Sequence, residues 1–485
     1  MSSPSLAGPQ PRPRVPIVWL GVALGLCALV IGTAVSLANP LIAVGALAAL
    51  GVALWALTNL EVGLWGTLAI ITLLPFASLP FKLVFTPTFL DLAVGGSFLV
   101  YLMQWMTGRR RRLTLTPAHG PILVFWVLAV FSFVAGLPNG PLTTNLMRQF
   151  AELLINIALT FVIVDYVDRW DKFSRLARII LLGGLAASVL AIGFYLLPPD
   201  TANRVLSALG VFGYPTGDVL RYIEDDPSQA QRAIGTAVDP NFLGGVLATI
   251  GGLLAPQLLS RKPLLGSRWV SLGAFVVLLG ALILTYSRGA MVGLVVGMGL
   301  IAVLRDRRLI LVMLAGALVI LLLPATRDYL LRFVQGAQGE DLATQMRFGE
   351  YKDALTLIGR YPLVGVGFAG APEIDIYLGV SSAYLLIAEQ MGLIGLAVFL
   401  ICMGTLFVWS FSQRRWLYAA AGSAEGQGRL ALWLGVHAGL IAALIVGVVD
   451  HYFFELSFQP AGSLFWIFVG LCLAASRLAA SDPAK

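Results

Sequence analysis

The residues that could do chemistry here are arginines in unexpected places. Arg288 stands in "ALILTYSRGAMVGLVVG", between two long apolar runs, with no carboxylate within twenty residues before it or fifteen after it. An arginine at bilayer depth costs about 3 kcal/mol even on the mildest scale, so something must compensate. Three others raise the same question. Arg148 precedes Glu152 by one helical turn, Arg232 precedes "AIGTAVDPNFLGG", and Arg347 opens the amphipathic stretch "MRFGEYKDALTLIGRYP". A guanidinium is a planar fork of donors that suits phosphate. Several forks from separate elements, meeting on one face, would hold a pyrophosphate. Plainer roles compete. Arg148 and Glu152 can form an i,i+4 ion pair, and Arg347 can pair with Glu350 or Glu340. Arg232 can sit at lipid headgroups, and Arg288 can meet Glu389 or snorkel to headgroup phosphates.

The elements that must position these residues are membrane helices. The chain has 485 residues, is 58% hydrophobic and only 12% charged, against roughly 25% charged in soluble domains. Apolar stretches long enough to span a bilayer fall at 15–37, 41–58, 62–78, 88–106, 119–137, 149–166, 177–197, 241–259, 269–286, 290–304, 309–324, 381–410, 430–449 and 461–476. The expected fold is therefore all-α, a polytopic membrane protein of about fourteen transmembrane helices. Residues 1–14 form a short polar tail, 15–476 one transmembrane domain and 477–485 a second tail, with large loops at 198–240 and 325–380. The second loop is partly helical up to Pro362.

Most of the 32 Lys and Arg residues gather in alternate loops, as in "RRRR" at 109–112, "DRWDKFSRLAR", "SRKPLLGSR", "RDRR" and "QRRW". That bias puts both termini in the cytoplasm and the four arginines outside. The basic clusters are short and lie between spans, which argues against nucleic acid as a partner. The surroundings are membrane lipid. Cys27, Cys402 and Cys472 all lie in apolar runs and suggest neither disulfide nor zinc site. Glu224, Asp225 and Asp226 read as a solvated loop, His437 as a packed core residue, and Asp91 as a helix cap after "TPTFL". No internal repeat is visible, whereas transporters are commonly built from related halves.

"GTAVDPNFLGGVLA", "SRGAMVG" and "MRFGEYKDALTLIGRYPLVGVGFA" followed by "SSAYLLIAEQMGLIGLAVFL" occur in that order. Together they resemble the O-antigen ligase and O-antigen polymerase superfamily, over roughly residues 140–475. The ending "DHYFFELSFQPAGSLFWIFVGL" is also similar to the family's last span. The resemblance implies an inverting, metal-independent glycosyltransferase of the bacterial inner membrane that needs no cofactor. Its donor would be a polyprenyl-pyrophosphate-linked glycan, its acceptor a lipid or another glycan, and its active site would face outward. By motif, Arg288 and Arg347 would grip the pyrophosphate and stabilise the departing charge, with Arg148, Arg232, Asn241, Ser381, Ser382 and Tyr384 binding substrate. Such ligases carry His-Asn where this chain has Ser381-Ser382. Neither serine titrates near neutral pH, so Asp375 and Glu389 become the catalytic carboxylate candidates. A lipid-linked oligosaccharide flippase or other secondary transporter is the rival function.

Overall fold

A computed structural model describes residues 51–82, 84–307, 309–310, 313–314, 342–370 and 379–481. Of the expected spans, 15–37, most of 41–58 and most of 309–324 lie outside the described residues. Residues 51–59 belong to a separate N-terminal unit, and the chain from Leu60 onward forms one compact unit.

Among its described residues that unit is helical apart from one small hairpin and an isolated bridge between Ser78 and Thr88. Its helices are α1 (Leu60–Leu73), α2 (Phe89–Met106), α3 (His119–Ala135), α4 (Thr144–Tyr166), α5 (Trp170–Leu196) and the short α6 (Pro199–Ser207). The hairpin strands β1 (Arg221–Tyr222) and β2 (Gln231–Arg232) pair antiparallel, with Arg221 opposite Arg232. There follow α7 (Pro240–Leu254), α8 (Arg268–Leu284), α9 (Arg288–Leu304), α10 (Leu342–Arg360), α11 (Ala383–Ala420), α12 (Ala424–Val449) and α13 (Gln459–Ala480). Among the described residues, seven helical stretches are long and apolar enough to cross a membrane: α2, α4, α5, α7 with its extension to Leu259, α11, α12 and α13 with the turn before it. The apolar helices α1, α3, α8 and α9 run 14 to 17 residues. The chain is thus a multi-pass membrane protein.

The loop expected at 198–240 is ordered by its own small core. Ala202, Leu206, Val219, Leu220 and Ile234 bury one another, and the hairpin carries Arg232 to the end of α8, where Ala233 N–H donates to Leu284 O at 2.8 Å.

The main core lies where α7, α9, α12 and α13 meet. Glycines let the backbones approach. A Cβ at Gly293 would sit 2.7 Å from the Ala442 carbonyl oxygen, and one at Gly297 would sit 2.6 Å from that of Ala438. That spacing is the small-residue packing used between membrane helices. Below it, Phe453 stacks on Phe465 with centroids 4.2 Å apart.

The helix α11 is broken at Gly392, whose φ of 71° is left-handed, a conformation glycine adopts without steric cost. The break exposes main-chain carbonyls inside the protein, and the segment after α10 fills the gap. Val366 N–H donates to Glu389 O at 2.8 Å, Gly367 N–H to Gln390 O at 3.0 Å, and Leu393 N–H to Pro362 O at 2.7 Å. Pro362 therefore ends α10 and also repairs the break in α11.

Candidate functional site

Arg288 is the first residue of α9, and the turn before it is sharp. Tyr286 holds a left-handed φ of 54°, which reverses the chain between α8 and α9 within three residues. Ser287 N–H donates to Thr285 Oγ1 at 3.2 Å, and Arg232 Nε donates to Thr285 O at 2.8 Å. The other arm of the Arg232 guanidinium donates to Asn241 Oδ1 at 2.7 Å, so this side chain ties the α8–α9 turn to the head of α7. Asp239 caps α7 by accepting from Phe242 N–H at 2.7 Å. Val238 before it is left-handed too, at φ 63°. A β-branched residue in that region is a true outlier. Such strain, of order 1–3 kcal/mol per residue, is held where surrounding contacts over-determine the backbone and gathers at functional sites. Here one strained residue lies just ahead of Asp239 and the other two residues ahead of Arg288.

Arg347 comes from the second turn of α10 and lines the same cleft as Arg288. The cleft measures about 460 Å³, and its other walls are Gly289 and Val292 of α9, Thr344, Phe348 and Tyr351 of α10, and Ile445, Val448 and Val449 of α12. Phe348, Val292 and Val448 are exposed. The cleft thus combines two guanidinium groups with mainly apolar walls. The N-terminus of α9, where Arg288 stands, adds the partial positive charge of its unpaired N–H groups.

The carboxylate three residues after Arg347 is engaged by a main-chain donor. Glu350 Oε2 accepts from Ser381 N–H at 2.9 Å, and Ser381 O accepts from Tyr351 Oη–H at 3.0 Å. No ion pair joins Arg347 to Glu350 among the described residues; Glu340 lies outside them. Ser382 caps α11, accepting from Leu385 N–H at 3.5 Å. Ala383 N–H then donates to Asp450 O at 3.1 Å, which places the two serines beside the turn that follows α12.

That turn carries a second, smaller cavity of about 110 Å³, lined by Asp239, Asn241, Phe242, Asp450, His451, Tyr452 and Phe458. Sequence explains why it is polar. Tyr452, Phe453 and Phe454 are each at most 2% exposed and anchor the turn in the core. Tyr452 Oη also meets Thr249 Oγ1 at 3.1 Å. Asp450, His451 and Glu455, which flank these aromatics, are left at the surface of the core. The turn folds back on itself, Glu455 N–H donating to His451 O at 3.3 Å, so His451 Nε2 meets Glu455 Oε2 at 2.9 Å across i,i+4. Burial alone would lower the His451 pKa, but the Glu455 hydrogen bond and the charges of Asp450, Glu455 and Asp239 push it up to about 9. Burial raises the Asp450 carboxyl above the usual range, and Asp239 adds to this. The His451 and Arg347 charges and the Tyr452 N–H pull the other way. Asp450 thus stands in electrostatic reach of both Arg347 and His451.

The structure therefore places Arg288 and Arg347 in one cleft, Asn241 in the small cavity with Arg232 bound to it, and Ser381 and Ser382 beside Glu350 and Asp450. It sets others apart. Arg148 forms ion pairs with Asp91 Oδ2 at 2.9 Å and Glu152 Oε2 at 3.1 Å, beside its own cleft of about 500 Å³ between α2 and α4. Asp91 both caps α2 through a capping box with Thr88 and takes this arginine. Glu389 is 2% exposed, next to the break in α11, and lines neither the arginine cleft nor the small cavity. Tyr384 donates to Leu444 O at 2.9 Å and packs on Phe399 and Phe453. Asp375 lies outside the described residues. Sequence reading missed Asp239, Tyr351 and Glu455, and gave Asp450 and His451 no role. The visible signal was "DHYFFE" at the end of an apolar run, where three consecutive aromatics are flanked by Asp450, His451 and Glu455.

Among the described residues no group of three His, Cys, Asp or Glu side chains is arranged to hold a metal ion. No curated protein matches the chain. Residues 273–400, which run from within α8 to within α11 and contain both Arg288 and Arg347, match the O-antigen ligase family, and this bears out the resemblance to the O-antigen ligase and O-antigen polymerase superfamily over that stretch.

Proposed function

We propose that this protein transfers a glycan from a polyprenyl-pyrophosphate donor to a lipid or glycan acceptor on the outer face of the bacterial inner membrane. One observation carries the reading. Arg288 and Arg347, 59 residues apart in sequence, line one cleft whose remaining walls are mainly apolar. A ligand for that cleft needs a dense negative headgroup and an apolar tail. A polyprenyl pyrophosphate is such an amphiphile and brings its own leaving group. The glycan–pyrophosphate bond breaks with its electron pair on the phosphate oxygen, and the two guanidinium forks and the α9 N-terminus stabilise that charge as it grows. The distribution of Lys and Arg supports an outward-facing site with both termini in the cytoplasm.

The test is a transfer assay with purified protein in detergent or nanodiscs. The substrate is lipid-linked oligosaccharide extracted from membranes of cells that carry the gene, supplied with and without a lipid acceptor, and products are sized. A ladder without acceptor identifies a polymerase, and a single addition that needs acceptor identifies a ligase. No covalent product in either arm, with lipid-linked sugar crossing the bilayer of proteoliposomes, would overturn the reading in favour of a flippase.

A further inference from the structure

We propose that Asp450 is the base that receives the proton of the acceptor hydroxyl, with His451, held by Glu455, as the cation that positions and balances it. The proposal rests on the glycosyl-transfer reading above. Its geometric basis is the small cavity of about 110 Å³ in which Asp239, Asn241, Asp450 and His451 meet. Val449, the preceding residue, lines the arginine cleft, so the two cavities adjoin along the chain.

Three observations bear on the choice of Asp450. It stands where the serines leave a chemical gap, since its carbonyl accepts from Ala383 N–H, directly after Ser381 and Ser382. Its Oδ1 accepts from Tyr452 N–H at 3.1 Å, and among the described residues no hydrogen bond engages Oδ2. Among the described residues, the charged and titratable groups that act on it are Arg347 and Tyr351 on α10, Asp239 at the head of α7, and His451 in its own turn, itself held by Glu455. Asp239 shares the small cavity and its Oδ1 is likewise engaged, as the cap of α7, so the contact with the serine segment is what singles out Asp450; Glu389 lines neither cavity.

The step balances. The bond from the donor's anomeric carbon to the pyrophosphate oxygen breaks, and its electron pair leaves with the pyrophosphate. The acceptor oxygen bonds to that carbon from the opposite face, and its proton moves to an Asp450 carboxylate oxygen. Burial makes this carboxylate more basic than a solvent-exposed one, which brings it closer to the operating pH, where a general base works best. His451 remains protonated through neutral pH and therefore serves as a positioning residue.

The test compares wild type with Asp450→Asn and Asp450→Glu. Asn keeps the oxygen that Tyr452 N–H needs. Binding is read with undecaprenyl pyrophosphate, and transfer is read with extracted lipid-linked oligosaccharide. Asp450→Asn should bind undecaprenyl pyrophosphate as wild type does and transfer about 10²- to 10⁴-fold more slowly. Adding azide, a nucleophile with no proton to lose, should restore donor cleavage in that variant and yield the glycosyl azide. Wild-type rates should fall as the pH falls and the carboxylate protonates. Asp450→Glu should keep that limb, and Asp450→Asn should lose it. Transfer by Asp450→Asn within about threefold of wild type, well below the usual contribution of a general base, would overturn the inference and leave the proposed function standing. So would loss of undecaprenyl pyrophosphate binding in that variant, which would make Asp450 a structural group. Wild-type protein that neither binds undecaprenyl pyrophosphate nor transfers glycan would overturn both.

Discussion

Arg148 and Arg347 occupy similar places in two regions of the molecule and have opposite surroundings. Each stands near the start of a helix beside a cleft, of about 500 Å³ for Arg148 and about 460 Å³ for Arg347. One turn after Arg148 comes Glu152, and Asp91 of α2 closes on it from the other side. One turn after Arg347 comes Tyr351, and the intervening Glu350 is held by Ser381 N–H. The first arginine is locked between two carboxylates. The second faces an apolar-walled cleft together with Arg288 and at the edge of the Asp450 field. An arginine outside a membrane core is thus no marker of function by itself. What separates the two is where the neighbouring carboxylates are committed.

The largest effect that tests this contrast is chemical. Arg288→Ala or Arg347→Ala should cut glycan transfer by about 10²- to 10³-fold or more, as the loss of preorganised charge stabilisation does. Membrane insertion and melting temperature should be unchanged. Normal transfer by both variants would remove the anion cradle.

Arg148→Ala should act on the fold instead. Removing it strands Glu152 and Asp91, which are 5% and 15% exposed, at a cost of about 3 kcal/mol, read as a lower melting temperature in detergent. Glu152→Gln in the same chain should restore part of that loss. An Arg148→Ala protein that melts as wild type but transfers nothing would place Arg148 in the site and erase the contrast.

Arg288→Lys is a smaller perturbation. A point charge cannot match the planar fork, and losing one charge-assisted hydrogen bond of about 1.5 kcal/mol predicts a roughly tenfold slower transfer. Wild-type rates would mean that charge alone matters at α9.

The smallest effect is on pH stability. Folding raises the His451 pKa from 6.5 to about 9. Its contribution to stability is therefore complete below about pH 6.5 and is lost as pH rises through about 9. The melting temperature of wild type should fall more steeply between pH 7 and 10 than that of His451→Gln; parallel slopes would show that Glu455 and Asp450 do not hold a charged imidazole.

Much of this was legible in the sequence where the signal is local. The apolar runs expected at 88–106, 119–137, 149–166, 177–197 and 430–449 correspond to α2, α3, α4, α5 and α12, because hydropathy in a bilayer reports span by span. The helix at 342–360 was equally clear from its spacing and Pro362. The fourteen-span count goes beyond what the described residues establish. Pairings across the fold were hidden. Glu152 was visible beside Arg148 at i,i+4, but Asp91 lies 57 residues away in sequence, and no local pattern announces it. The cluster of Asp239 with Asp450 and His451 joins the head of α7 to the tail of α12. Only the aromatic anchors between Asp450 and Glu455 hinted that this turn is held in place.

Ser381 and Ser382 bring no titrating group, yet their backbone has a mechanical consequence. The helix α10 is stitched down at its far end by Pro362, Val366 and Gly367 in the α11 break. Arg347 lies thirteen residues from Arg360, about 20 Å along the axis at 1.5 Å per residue. A lever that long turns a tilt of a few degrees into more displacement than the roughly 0.5 Å a reacting constellation tolerates. Ser381, by holding Glu350 and Tyr351 within a turn of Arg347, is the strut that steadies its tip.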